Sequence, residues 1–108
     1  MATSLKNYIT SNVGLTGNTV YNPTTSGIQS TMIGLVLCNT SQYPVTANVT
    51  LTSGVNTVYI VKNMVIPVGN SLDIINSGKI ILTQGNIVNV ASSLASSIDV
   101  TVSAVEVV

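Results

Sequence analysis

The side chains able to do acid–base, nucleophilic or metal chemistry are few. Six residues carry side-chain charge, namely Lys6, Lys62, Lys79, Asp73, Asp99 and Glu106, and they cancel; histidine is absent. Without imidazole, Ser-His-Asp, Cys-His and His–metal arrangements are closed to this chain. A single cysteine, Cys38, can make neither an internal disulfide nor a zinc site. It lies inside an apolar run and reads as a buried structural thiol. The three acids stand far apart, with no calcium-loop spacing, so a paired-carboxylate centre would have to be assembled from strand edges by folding. Gly14-Leu15-Thr16-Gly17 lacks the lysine and third glycine of the nucleotide-binding fingerprints. The expectation is therefore no enzyme, no cofactor and no metal. Tyr8, Tyr21, Tyr43 and Tyr59 are the only aromatics. They read as ring-packed at sheet rims with the hydroxyl in water, and Tyr43, beside Pro44 at a turn, as a contact to a partner subunit.

Composition narrows the partners. Charged residues make up 6% of the 108 residues, against roughly 25% in ordinary soluble domains. The polar surface must come from serine (13), threonine (14) and asparagine (12). A neutral surface gives little repulsion between copies and favours association. Three lysines and no arginine leave no basic patch for nucleic acid or for an anionic membrane. The longest apolar run, Met32 to Cys38, is too short to span a bilayer. The N-terminal residues show no secretory pattern. Asn39-Thr40-Ser41 and Asn48-Val49-Thr50 match the glycosylation acceptor pattern, and without a signal peptide they read as chance matches.

Valine (17) and isoleucine (11) dominate the apolar set, and β-branched side chains suit pleated surfaces. No window shows a capped 3.6-residue period. Residues 1–17 read as an arm or edge strand, with Leu5, Ile9 and Val13 at four-residue steps; 18–108 read as a single β-sandwich domain. Thr31 to Asn39 is apolar on both faces and needs cover on both sides. Val45, Ala47, Val49 and Leu51 alternate with Thr46, Asn48, Thr50 and Thr52, giving one dry face and one wet. These two strands form a hairpin candidate. Ser53-Gly54-Val55-Asn56 is a turn, and Pro67 marks an edge or corner. Leu72–Ile75 and Lys79–Leu82 flank Asn76-Ser77-Gly78, a second hairpin candidate with Gly78 in the left-handed position. The sum is an all-β fold, a small antiparallel β-sandwich, immunoglobulin-like or jelly-roll-like, of about eight to nine short strands.

The stretch YIVKNMVIPVGNSLDII (59–75) continues as NSGKIILTQGNIVNVASSLASSIDVTVSAVEVV, and Gly34 to Ser41 opens a preceding Val/Thr strand. Over residues 31–108 this succession of strands and turns resembles the small β-sandwich accessory proteins of tailed bacteriophage virions. The resemblance implies a structural role: a capsid decoration or cement subunit, or a neck, tail or tail-fibre component that could bind a receptor or carbohydrate. Partners would be further copies of the chain and major capsid or tail proteins, and the location the virion. In that class an acidic residue tends to follow the glycine before the second-last strand; here Asn86 follows Gly85, which removes one cation ligand.

Two termini carry more apolar surface than a free end needs. Leu5, Tyr8, Ile9 and Val13 near the start, and Val105, Val107 and Val108 at the end, are with Tyr43 the candidate subunit contacts.

Overall fold

The computed structural model describes residues 3–75 and 78–107. These residues form nine strands: β1 (Thr3–Val13), β2 (Asn18–Tyr21), β3 (Gln29–Asn39), β4 (Val45–Ser53), β5 (Asn56–Ile66), β6 (Ser71–Asp73), β7 (Ile80–Thr83), β8 (Ile87–Ser92) and β9 (Ile98–Val107). They divide into two sheets. Sheet 1 runs β1-β9-β3, with β6 and β7 both on the far edge of β3; sheet 2 runs β2-β8-β4-β5. All the pairings are antiparallel. The fold is the all-β, two-sheet antiparallel sandwich that composition and turn spacing predict.

The core lies between the sheets. Met32, Leu35 and Leu37 of β3, Val100 and Val102 of β9, Val45, Ala47 and Val49 of β4, and Val88 and Val90 of β8 face one another, all buried. Each fully buried aliphatic side chain contributes roughly 1.5–3 kcal/mol. Strict alternation along β4 and β9 supplies these residues, because successive side chains of a strand point to opposite faces.

Three sequence expectations are corrected. First, β3 and β4 do not form a hairpin: they lie in opposite sheets. The turn at 40–44 is a corner that carries the chain across the end of the sandwich. Asn39, only 1% exposed, fixes it by donating its amide to the carbonyls of Tyr43 (2.8 Å) and Ile66 (3.0 Å). Its Oδ1 accepts from the backbone N–H and hydroxyl of Ser41. A buried asparagine with four partners supplies the bonds that a local ladder would have made.

Second, β6 and β7 are not a hairpin either. Both run antiparallel to β3, β6 against Val36–Cys38 and β7 against Gln29–Met32, so they are two pieces of one interrupted edge strand. Between them the chain has six residues, 74–79, where β3 has three. Where the ladder breaks, Asp73 Oδ1 accepts from the N–H of Leu35 (3.3 Å) and of Ile75 (3.0 Å). Positive φ is found at Gly17, Gly27, Gly54, Gly69 and Gly85; Asn76 and Ser77, and with them the turn expected at Gly78, lie outside the described residues.

Third, Val13 does not continue the outward stripe of Leu5 and Ile9. The β1–β9 register shifts between Thr10 and Val13, at Asn12, whose φ is 59°. The extra residue of a bulge reverses the alternation, and Val13 turns fully into the core. Its side chain is thus not offered on the outer face with Leu5 and Ile9.

Candidate functional site

Exposed large apolar side chains gather on the outer face of sheet 1 and along β5 of sheet 2, and on sheet 1 they line up across strands. Directly paired residues of antiparallel strands point to the same side. The register Leu5↔Val105, Val105↔Thr31, Thr31↔Ile81 therefore makes one row across β1, β9, β3 and β7. Leu5 is 79% exposed and Ile81 72%; Val105 between them is half-buried. Ile9, also 79% exposed, stands two places along on β1, and Ile33 flanks the row from the bulge in β3. A groove of about 460 Å³ lies between Leu5 and Ile33, floored by Ser103 and Ala104. Gly34 opposite Ser103 keeps this stretch low, since a Cβ there would stand 3.5 Å from that of Ser103. By contrast, the outward positions of β4 on sheet 2 are Thr46, Asn48, Thr50 and Thr52. Sheet 2 carries its exposed apolar side chains on its edge strand β5, where Tyr59 and Val65 pair with Thr50 and Thr46, whereas on sheet 1 the apolar row crosses from one edge to the other.

This places the expected contact residues. Leu5, Ile9, Val105 and Val107 sit on the outer face of sheet 1; Tyr43, well exposed, sits on the inter-sheet corner. Tyr8 and Val13 point inward, and Val108 lies outside the described residues. The strand β3, apolar on both sides, has its inner face covered by sheet 2; on its outer face Ile33 is exposed and Val36 and Cys38 are half-buried among the described residues.

A second feature is a buried carboxylate. Glu106 on β9 is 8% exposed. Its Oε2 accepts from the hydroxyls of Tyr8 (2.6 Å) and Tyr21 (2.5 Å), and the Tyr21 hydroxyl also meets Ser30 Oγ. The two rings are 4.9 Å apart and tilted. The hydrogen bond to Glu106, with some burial and the nearby negative charge, pushes the Tyr8 phenol up to about 12. Burial first, and then the bond to Glu106, raise the Tyr21 phenol further. Sequence spacing brings none of these together, because Tyr8 and Glu106 are joined only through the β1–β9 pairing. The alternation of β9 did put Glu106 on the inward side with Ala104 and Val102; a lone acid in that phase was the available signal.

Among the described residues no group of three or more His, Cys, Asp or Glu side chains comes together. Each acid has a structural occupation: Asp73 at the strand break, Asp99 accepting from the backbone of Asn12, and Glu106 from the phenols. Cys38 is half-buried and unpaired.

No protein-family model matches the chain, and no curated protein aligns with it significantly. Among solved structures, the fold is similar to one described as "Bacillus endospore appendages form a novel family of disulfide-linked pili". The match has a TM-score of 0.54 and 16% sequence identity, and covers 96% of this chain and 85% of that one. At that identity the likeness is one of fold: a small antiparallel β-sandwich of the kind found in a bacterial appendage protein.

Proposed function

We propose that this chain is a non-catalytic structural subunit that assembles with copies of itself, in an extracellular appendage-like array, through the outer face of sheet 1. The observation that carries the proposal is the row Leu5–Val105–Thr31–Ile81, with Ile9 and Ile33 beside it. Contiguous exposed apolar surface of this kind marks an interaction site, and near-neutrality removes the repulsion that would keep copies apart. The occupant best matched to an uncharged apolar row is another uncharged sandwich, and the chain itself is one. The long strands β1 and β5 each end a sheet, and each carries a single lysine and no proline. Each also carries a bulge, so further pairing at the flanks falls to the regular stretches of these strands.

The fold likeness supports an appendage over a virion. The pili named in that likeness are disulfide-linked. One cysteine in this sequence joins at most two copies, so the proposed array rests on apolar burial and hydrogen bonds instead. The virion reading keeps the support of the strand pattern over residues 31–108. It places the same face against capsid or tail proteins, as a decoration or cement subunit or a neck, tail or fibre component. Negative-stain imaging of the purified chain separates the two. Regular multimers or filaments formed by the chain alone support the appendage reading, and particles that form only with virion proteins support the other. A dispersed monomer in both settings contradicts the assembly proposal.

A further inference from the structure

We infer that the open end of the sandwich beside Glu106 is a binding site for a neutral, hydroxyl-rich ligand, a mono- or disaccharide unit. This goes beyond the assembly proposal and does not depend on it.

The cavity measures about 380 Å³, within the range of small-molecule sites, roughly 300–1,000 Å³. Its walls come from three places far apart in sequence: Tyr8 of β1, β2 with the loop that follows it, and Glu106 of β9. That loop is held in shape. Pro23 is buried, its carbonyl accepts from the N–H of Gly85 (2.9 Å), and Thr25 accepts from Ile28 (3.2 Å). The site is thus preformed.

Both phenols donate to one oxygen of Glu106, Oε2. Oε1 takes no bond from the described residues, and none of their sealed side-chain oxygens lacks a partner. Glu106 lines the cavity, and Oε1 is its oxygen free of bonds to the described residues. A carboxylate oxygen in a largely buried residue calls for a donor, which water or a ligand hydroxyl can supply.

The rest of the lining selects among donors. A second carboxylate, which would favour a divalent cation, is not among the residues that line this cavity. An anion would be repelled. An ammonium group satisfies Oε1 but is donor-only, and makes no use of the exposed amide and hydroxyl donors of Asn22, Thr24 and Thr25. A sugar hydroxyl both donates and accepts, so it meets Oε1 and the Asn/Thr rim together. The C–H face of a sugar ring fits the apolar part of the wall, Val20 and Ile28, beside the half-exposed Tyr8. A tryptophan platform is not needed when a buried carboxylate supplies the polar anchor.

The test is an NMR titration of the full chain, following the tyrosine ring resonances, with D-glucose, D-galactose, N-acetyl-D-glucosamine and lactose as probes and ethylammonium as control. The expected result is saturable shifts of Tyr8 and Tyr21 with at least one saccharide at millimolar concentration, while Tyr43 and Tyr59 stay still. Glu106→Gln weakens that binding about tenfold or more, the loss expected for a hydrogen bond to a charged group. Asn22→Ala, on the exposed rim and outside the core, also weakens it and carries the test if E106Q does not fold. No saturable shift with any of the saccharides, a response to ethylammonium alone, or unchanged affinity in N22A each overturns the proposal.

Discussion

The side-chain amide of Asn39 donates to the backbone carbonyl of Ile66 at 3.0 Å, and so ties the end of β3 in one sheet to the end of β5 in the other. The same side chain holds Tyr43 and Ser41, and Thr40 accompanies it by donating its backbone N–H to Ser97. Asn39→Ala strands the buried carbonyl of Ile66 and removes the corner's internal ladder. Destabilisation of about 2–3 kcal/mol is expected, the scale of unsatisfied buried polar groups. Urea denaturation of the variant against the parent measures it, and an unchanged midpoint would show that the corner does not depend on this residue.

Glycines separate cleanly by backbone geometry. Gly17 has φ +81°, and a Cβ on it would lie 2.5 Å from Asn89 Oδ1. Gly17→Ala therefore adds left-handed strain, about 1 kcal/mol or more, to a displaced Asn89. Gly34 has no positive φ, and the atom nearest its would-be Cβ is Ser103 Cβ at an ordinary 3.5 Å. Gly34→Ala is expected to leave the melting temperature unchanged. Thermal melts of the two variants check the contrast, and equal effects would contradict it.

Val13 and Leu5 share a strand and one sequence period but not an environment. Val13→Ala should cost about 2 kcal/mol, from lost burial and the cavity left behind. Leu5→Ala should leave the stability of the isolated subunit within about 0.5 kcal/mol. Chemical denaturation at low protein concentration distinguishes the two, and a large loss from L5A would mean that Leu5 is covered within the subunit.

The phenols of Tyr8 and Tyr21 are harder to ionise in the fold than in the unfolded chain. For Tyr8 the rise is from 10.0 to about 12. As pH increases, the unfolded chain releases these protons first. Their stabilising contribution is whole below about pH 10 and is lost as pH rises through the folded values. Stability should stay level up to that point and then fall, with Tyr21→Phe flattening part of the decline. Denaturation midpoints across alkaline pH, read beside phenolate absorbance, check the sign; stability increasing above pH 10 would reverse it.

Strand content was open to reading from the residues, because β-branched density and period-two alternation act locally. Val45 to Leu51 and the turn at Gly54 are cases where the structure follows the pattern; Gly54 takes the positive φ that a two-residue hairpin loop needs. Partnership was not open to reading. Whether β4 continues the sheet of β3 depends on Asn39 bonding across to Ile66, 27 residues away. Whether β6 and β7 turn back on each other depends on the length of the edge that β3 offers. The single left-handed Asn12 reverses the side to which Val13 points, and no apolar count registers it. Of the candidate contacts, those on the outer face of β1 and β9 follow simple alternation. Tyr8 and Glu106 meet only because the first and last strands are neighbours.

The central claim is assembly through the outer face of sheet 1, and a deletion of β1 cannot test it, since Val13 and the β9 pairing would be lost too. A Leu5→Thr/Ile81→Thr double variant removes the two most exposed members of the row and keeps β-branched residues on the strands. Sedimentation velocity of parent and variant, at low salt and at about 1 M salt where charge pairs are screened within about 3 Å, reads the outcome. The parent should sediment as a multimer at both ionic strengths, and the variant as a monomer with an unchanged melting temperature. A parent that stays monomeric at high concentration, or a variant that assembles as the parent does, would contradict the account.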